Sequence, residues 1–133
     1  MITAVDLHTQ KVVWSKPLGT ARDSGPFGIP SMLPILMGAP IAGGSLTTRG
    51  GLIFVAASQE RTFRALDAAT GKQLWSNRLP AGGQASPMTY WSATSGRQFV
   101  ALAAGGNVAL QSRTGDSIVA YALKKRADTA TSP

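Results

Sequence analysis

Apolar residues along this chain come in short runs, cut at regular intervals by Gly, Pro, Asp and Thr. That spacing predicts short β-strands joined by tight turns, with no long helix. Residues 2–6 and 11–15 read as a first pair of strands. Residues 44–48, 52–57, 63–67 and 73–77 read as a set of four, and 85–90, 98–103 and 117–122 as a set of three. The strands are not half-polar. In 52–57 both alternating sets, Leu52/Phe54/Ala56 and Ile53/Val55/Ala57, are apolar. A sheet built from such strands must be covered on both faces. Four-stranded units with two buried faces fit the blades of a β-propeller; a two-sheet sandwich is the alternative, but it expects one polar face per strand.

Part of the pattern repeats. "AVDLHTQKVVWS" from Ala4 is echoed by "ALDAATGKQLWS" from Ala65, with Asp, Thr, Lys, Trp and Ser at the same offsets. In the second copy Asp67 and Thr70 can accept backbone N–H groups and Gly71 tolerates positive φ, so the segment turns and returns as a strand. In the first copy Asp6 keeps its place but Gln10 replaces Gly71, which weakens the turn without abolishing it. Trp14 and Trp75 follow these turns, and a large flat ring there can wedge between adjacent sheets, its position fixed by the turn before it. The repeat therefore reads as packing hardware. "GLIFVAAS" also resembles "RQFVALAAG", and "FRALDAA" resembles "IVAYALK", with Ala65 matching Ala120.

This grammar divides the chain into a half blade at 1–19, a connecting loop at 20–42, a full blade at 43–80, an incomplete last blade at 81–123 and a polar tail at 124–133. No ring closes from that count. The chain is expected to be the C-terminal part of a larger propeller, or a truncated reading frame. The loop holds Pro26, Pro30, Pro34 and Pro40, a density that argues against a membrane helix and for an ordered, extended connection.

Composition adds limits. In 133 residues 44% are hydrophobic and 14% charged, which suits a packed chain. There are no cysteines, so disulfides and thiolate metal sites are excluded. The formal charge of +7 arises from thirteen Lys and Arg against six acids. Only "KKR" at 124–126 is a cluster, and the other bases scatter through turns without interleaved stacking aromatics. That is a basic surface with a solvated tail, and nucleic acid is not the expected partner. Such a surface also suits anionic lipid headgroups.

The two "D…W" turns resemble the tryptophan-docking motif of the pyrroloquinoline quinone (PQQ) dependent dehydrogenases. "GPFGIPSMLP", "GAPIAGGSLTTRGGLIFVAAS", "RLPAGGQASPMTY" and "GDSIVAYAL" are similar to the end of the membrane-bound glucose, quinate and shikimate dehydrogenase family, so the resemblance covers 2–123. It implies an eight-bladed propeller on the periplasmic face of the inner membrane, anchored by an N-terminal membrane region. It also implies PQQ with Ca²⁺ or Mg²⁺ as cofactors, a sugar or cyclic polyol as the hydride donor, and ubiquinone as the electron acceptor. The catalytic base and most cofactor ligands of the family lie in earlier blades. No catalytic or metal-binding residue is therefore expected in this chain, which alone should be inactive.

The resemblance singles out a few positions. Asn107 follows Gly105 and Gly106 at a strand end, where the family commonly carries His near substrate and PQQ. Gly106 and Asn107 are thus the candidate cofactor contacts, and Asn107 a candidate substrate contact. Asn hydrogen-bonds a hydroxyl but carries no proton near neutral pH, which points to a substrate other than glucose or to an impaired site. A turn-forming Asn is the structural alternative. Glu60 stands where relatives usually carry Asp near the active face and is the other candidate substrate contact, with a bond to Arg64 or a neighbouring loop as its structural alternative. Gly43 to Ser45 offer backbone N–H groups to an anion, or simply let two strands cross closely. His8, the sole histidine, has no partner cluster, and Trp91 is a substrate platform or a strand-terminal packing residue. A non-enzymatic propeller scaffold is the competing function, disfavoured because a scaffold needs the docking turns but not the branch-specific blocks.

Overall fold

The computed structural model describes residues 1–25, 29–56 and 58–123; the tail at 124–133 lies outside them. The described residues form three antiparallel sheets. Strands β1 (Ile2–Asp6) and β2 (Lys11–Lys16) make the first. Strands β3 (Ser45–Thr47), β4 (Leu52–Val55), β5 (Thr62–Asp67) and β6 (Gln73–Arg78) make the second, in that spatial order. Strands β7 (Met88–Ser92), β8 (Arg97–Ala104) and β9 (Ser117–Ala122) make the third. A short 3-10 helix, Ala21–Asp23, interrupts the long connection at 17–44.

The second sheet is covered on both faces because both faces of its strands are apolar. On one side Ile53, Val55 and Leu66 pack with Ile2 and Leu18 of the first unit. On the other, Phe54, Ala56 and Phe63 pack with Val100, Leu102 and Ala104 of the third. Phe63 has no exposed surface at all. The stacking is that of consecutive propeller blades, and the fold is an all-β partial propeller. The outward face of the third sheet remains open, with Ile118 80% exposed and Met88 and Tyr90 beside it.

A bulge is shared by the two copies of the repeat. The register shifts between Ala4 and Val5 in the β1–β2 pair and between Ala65 and Leu66 in the β5–β6 pair. The extra residue turns the strand by one face, so Trp14 stands opposite Ala4 and Trp75 opposite Ala65. Each indole is thereby aimed at the next sheet along the chain.

Consecutive antiparallel strands force the connections to alternate between two ends. The short turns 7–10, 48–51, 68–72 and 93–96 share one rim. The longer segments 17–44, 56–61, 79–87 and 105–116 share the other.

Candidate functional site

On the short-turn rim, the side chains of the repeat hold the hairpins. Asp6 accepts from the N–H groups of His8 (2.8 Å) and Thr9 (3.3 Å). Asp67 accepts from the N–H (2.8 Å) and hydroxyl (2.7 Å) of Thr70. These bonds favour the ionised form and hold both carboxyls below the usual aspartate value. Gly71 adopts φ +65°, and Gln10 adopts φ +57° at the matching position of the first turn.

The position of Trp14 is not set by its own turn. Its Nε1 donates to the carbonyl of Ala68 at 2.9 Å, in the turn of the following sheet, 54 residues away. The ring lies over Gly71, where an added Cβ would meet the indole at 2.7 Å. Trp75 sits differently: it meets Phe63 edge-on at 5.8 Å and Tyr121 at 5.0 Å.

The long-segment rim gathers the other candidates. The 79–87 and 105–116 segments are knitted together by Gly82 N–H to Arg113 O (2.9 Å), Gly106 N–H to Gly82 O (2.9 Å) and the Ser112 hydroxyl to Gln84 Oε1 (3.2 Å). Gln84 Nε2 donates to Ser58 O (3.0 Å), and Gln59 Nε2 reaches Leu110 O (2.9 Å), tying in the 56–61 segment. Gly106 is required by φ +75° and by contact, since a Cβ there would lie 2.4 Å from Arg113 O. Gly43 is equally constrained, with Gln84 O 2.0 Å from its would-be Cβ. In this structure Gly43, Gly44 and Gly106 serve close approach between neighbouring segments, whereas Gly105 has room for a side chain.

Asn107 is half-buried on this rim. Its N–H donates to the Ser112 hydroxyl (2.8 Å), and its Oδ1 accepts from Leu110 N–H (3.2 Å), forming the turn that follows. Its Nδ2 makes no hydrogen bond to a described residue. Glu60 is 6% exposed, and its Oε2 accepts from both Thr20 N–H (2.9 Å) and the Arg64 guanidinium. Burial alone would raise its carboxyl, but the charge of Arg64 and the Thr20 N–H outweigh that and hold it below the usual glutamate value. His8 lies in the first turn of the opposite rim, and Trp91 is exposed on β7.

Asp23 escaped the sequence reading. It accepts from Arg61 N–H (3.0 Å) and from the Arg78 guanidinium, pinning the long connection onto the second sheet. Burial opposes its ionisation, and the Arg78 and Arg61 bonds win, so its carboxyl is also lowered. The signal available was its scarcity: it is one of six acids, placed in a proline-rich loop. Among the described residues no three His, Cys, Asp or Glu side chains gather into a metal-binding group, and no helix is long and apolar enough to cross a membrane.

Comparisons with known proteins show the family of the chain. A family model described as "PQQ: Glucose/ethanol/alcohol dehydrogenase, beta-propeller domain" matches residues 1–100. A probable quinate dehydrogenase (quinone) of Xanthomonas campestris pv. juglandis is 48% identical over 122 residues, covering 92% of this chain and 15% of the relative. The glycerol dehydrogenase large subunit of Gluconobacter oxydans is 51% identical over 124 residues, covering 92% and 16%. The crystal structure of quinohemoprotein alcohol dehydrogenase from Comamonas testosteroni superposes with a TM-score of 0.60 at 26% identity, over 89% of this chain and 15% of that one. The chain thus spans about 15% of the length of the curated relatives it matches.

Proposed function

This chain belongs to the glucose/ethanol/alcohol dehydrogenase β-propeller family, and on that premise we propose that it forms one sector of a PQQ-dependent dehydrogenase acting on a sugar or polyol. The observation that carries the placement is the gathering of 56–61, 79–87 and 105–116 on one rim, with the Asn107 amide donors left unbonded there. In this reading that rim faces the substrate and the short-turn rim is structural.

The chemistry of the donors limits what this sector holds. Asn107 offers N–H groups to a hydroxyl or carboxylate, and Gly106, packed against Arg113, fixes where Asn107 stands beside the cofactor. PQQ, when bound, supplies the electron-accepting quinone. Asp6, Asp23, Glu60 and Asp67 are each committed to bonds within the fold, and among the described residues Asp116 alone has no such bond. One carboxylate does not make a metal site, so Ca²⁺ or Mg²⁺ draws its ligand set, and the reaction its base, from outside this segment. Glu60 acts on the site through the loops it ties together, and Asn107 orients a substrate hydroxyl without exchanging a proton. The electrons pass to a quinone of the ubiquinone type at the periplasmic face of the inner membrane, with anchoring supplied by sequence beyond this segment. The "quinone" in the name of the Xanthomonas relative supports the acceptor.

The test is a full-length parent carrying this segment, reconstituted with PQQ and Ca²⁺. We expect ubiquinone reduction with at least one of glucose, quinate and glycerol, and a changed ratio of kcat/KM among them in Asn107→His with thermal stability unaltered. Equal ratios before and after would remove Asn107 from the substrate pocket. No PQQ-dependent turnover with any sugar or polyol would overturn the enzymatic reading.

A further inference from the structure

A cleft of about 570 Å³ opens where the end of β2 and the long connection meet β5 and β6, away from Asn107. Five cationic side chains line it, Lys16, Arg22, Arg64, Lys72 and Arg78, against one carboxylate, Glu60. Glu60 is taken by Arg64 and Thr20, and Arg78 is held through one nitrogen by Asp23. That leaves Lys16, Arg22 and Lys72 with no carboxylate partner among the described residues. Two guanidinium nitrogens, Arg22 Nε and Arg78 Nη1, are buried with no hydrogen-bond partner among the described residues.

A buried guanidinium N–H without an acceptor is costly, and nearly all such groups find one. Water would satisfy the N–H groups but would leave the excess positive charge uncompensated. An oxyanion at the accessible Nη edge of Arg22 balances that charge and takes up its free donors. The planar guanidinium presents paired donors that match phosphate oxygens, and Lys16, at the end of β2 beside the long connection, adds a point charge. We infer that this inter-sheet cleft is a binding site for a phosphate-class oxyanion, either free phosphate or the headgroup of an anionic phospholipid.

The probes are inorganic phosphate, titrated into the purified protein at constant ionic strength with chloride as the balance, and vesicles of phosphatidylglycerol or phosphatidylcholine. Phosphate should raise the melting temperature saturably. In Arg22→Gln and Lys16→Gln the titration midpoint should rise roughly tenfold, while Arg49→Gln, in the opposite 48–51 turn, should leave it unchanged. Arg22→Gln without phosphate should melt no lower than the parent, since it removes an unpaired buried N–H; a purely structural arginine predicts the reverse. Sedimentation with phosphatidylglycerol but not phosphatidylcholine vesicles, lost in Arg22→Gln, assigns the site to a lipid headgroup. Saturable phosphate binding with neither vesicle bound assigns it to the free ion. Absence of any saturable phosphate effect, or an equal effect in parent, Arg22→Gln and Lys16→Gln, overturns the inference.

Discussion

The interface between the first and second sheets and that between the second and third each receive a tryptophan aimed by the same bulge, yet they close differently. Trp14 finds a complete dock: the Ala68 carbonyl takes its N–H and Gly71 leaves room for its ring. At the second interface the position that matches Ala68, given the Ala65–Ala120 correspondence, is Leu123, and its carbonyl accepts from the Arg97 guanidinium. Among the described residues no acceptor meets Trp75 Nε1, and the ring is held by Phe63 and Tyr121 instead. The first interface also carries the Glu60–Arg64 and Asp23–Arg78 ion pairs, whereas the core of the second is apolar and aromatic. A docking tryptophan is thus half of a device. The receiving turn is the other half, and it lies in the next repeat.

The comparison can be broken at its strongest point. Trp14→Ala removes a ring that is 9% exposed, together with its hydrogen bond, and should cost about 3–5 kcal/mol in urea unfolding. A loss below about 1 kcal/mol, typical of a surface site, would mean the ring does not dock. Gly71→Gln rewrites the second turn as the first. It adds left-handed strain and drives a Cβ into the indole, and should cost about 2–4 kcal/mol while red-shifting the Trp14 emission. Trp75→Ala should cost less than Trp14→Ala, about 2–3 kcal/mol, because the ring is only half-buried. Equal losses at the two tryptophans would erase the distinction drawn between the interfaces.

Acid sharpens the contrast in a different way. Glu60 and Asp23 both have folded values depressed below their ordinary 4.5 and 3.8. Their contribution is therefore complete above those ordinary values and is lost as the pH falls through the depressed ones. Hydrogen exchange should show β1 and β2 loosening from the second sheet below about pH 4 while β7 to β9 stay protected. Simultaneous loosening of both would show that the ion pairs do not govern the first interface.

The smallest effect is expected at Gln10. Gln10→Gly relieves about 1–2 kcal/mol of left-handed strain and returns about 0.4–1 kcal/mol to the entropy of the unfolded chain. A net gain under about 1 kcal/mol should appear as a small rise in the urea midpoint. A loss would mean that the Gln10 side chain makes a stabilising contact.

Local chemistry wrote much of the fold into the sequence. The strands at 2–6 and 117–122 fall where the apolar runs put them, and the Asp67–Thr70–Gly71 turn forms because three neighbouring residues suffice to build it. The doubly apolar pattern of 52–57 required two covered faces, and for the described part of that run the second sheet has them. The family was legible too, because the docking turn and the branch-specific blocks are contiguous strings. Strand ends were less so: the strand expected at 85–90 runs Met88–Ser92, since Gln84 and Ser86 are drawn into contacts between the rim segments.

Pairings between residues far apart in the chain come from the packing of the sheets. Nothing near Trp14 names Ala68 as its acceptor, and nothing near Asp23 names Arg78, 55 residues on. Glu60 could have faced a substrate, an arginine or a loop; its burial beside Arg64 and the Thr20 N–H follows from the way the long connection lies across the second sheet. The charged cleft has the same origin, since its five cations come from three separate stretches of sequence. Turn and strand propensities act over a few residues, so a sequence displays them directly. A donor's choice among distant acceptors depends on which surfaces the stacked sheets bring together, and only the packed chain fixes that.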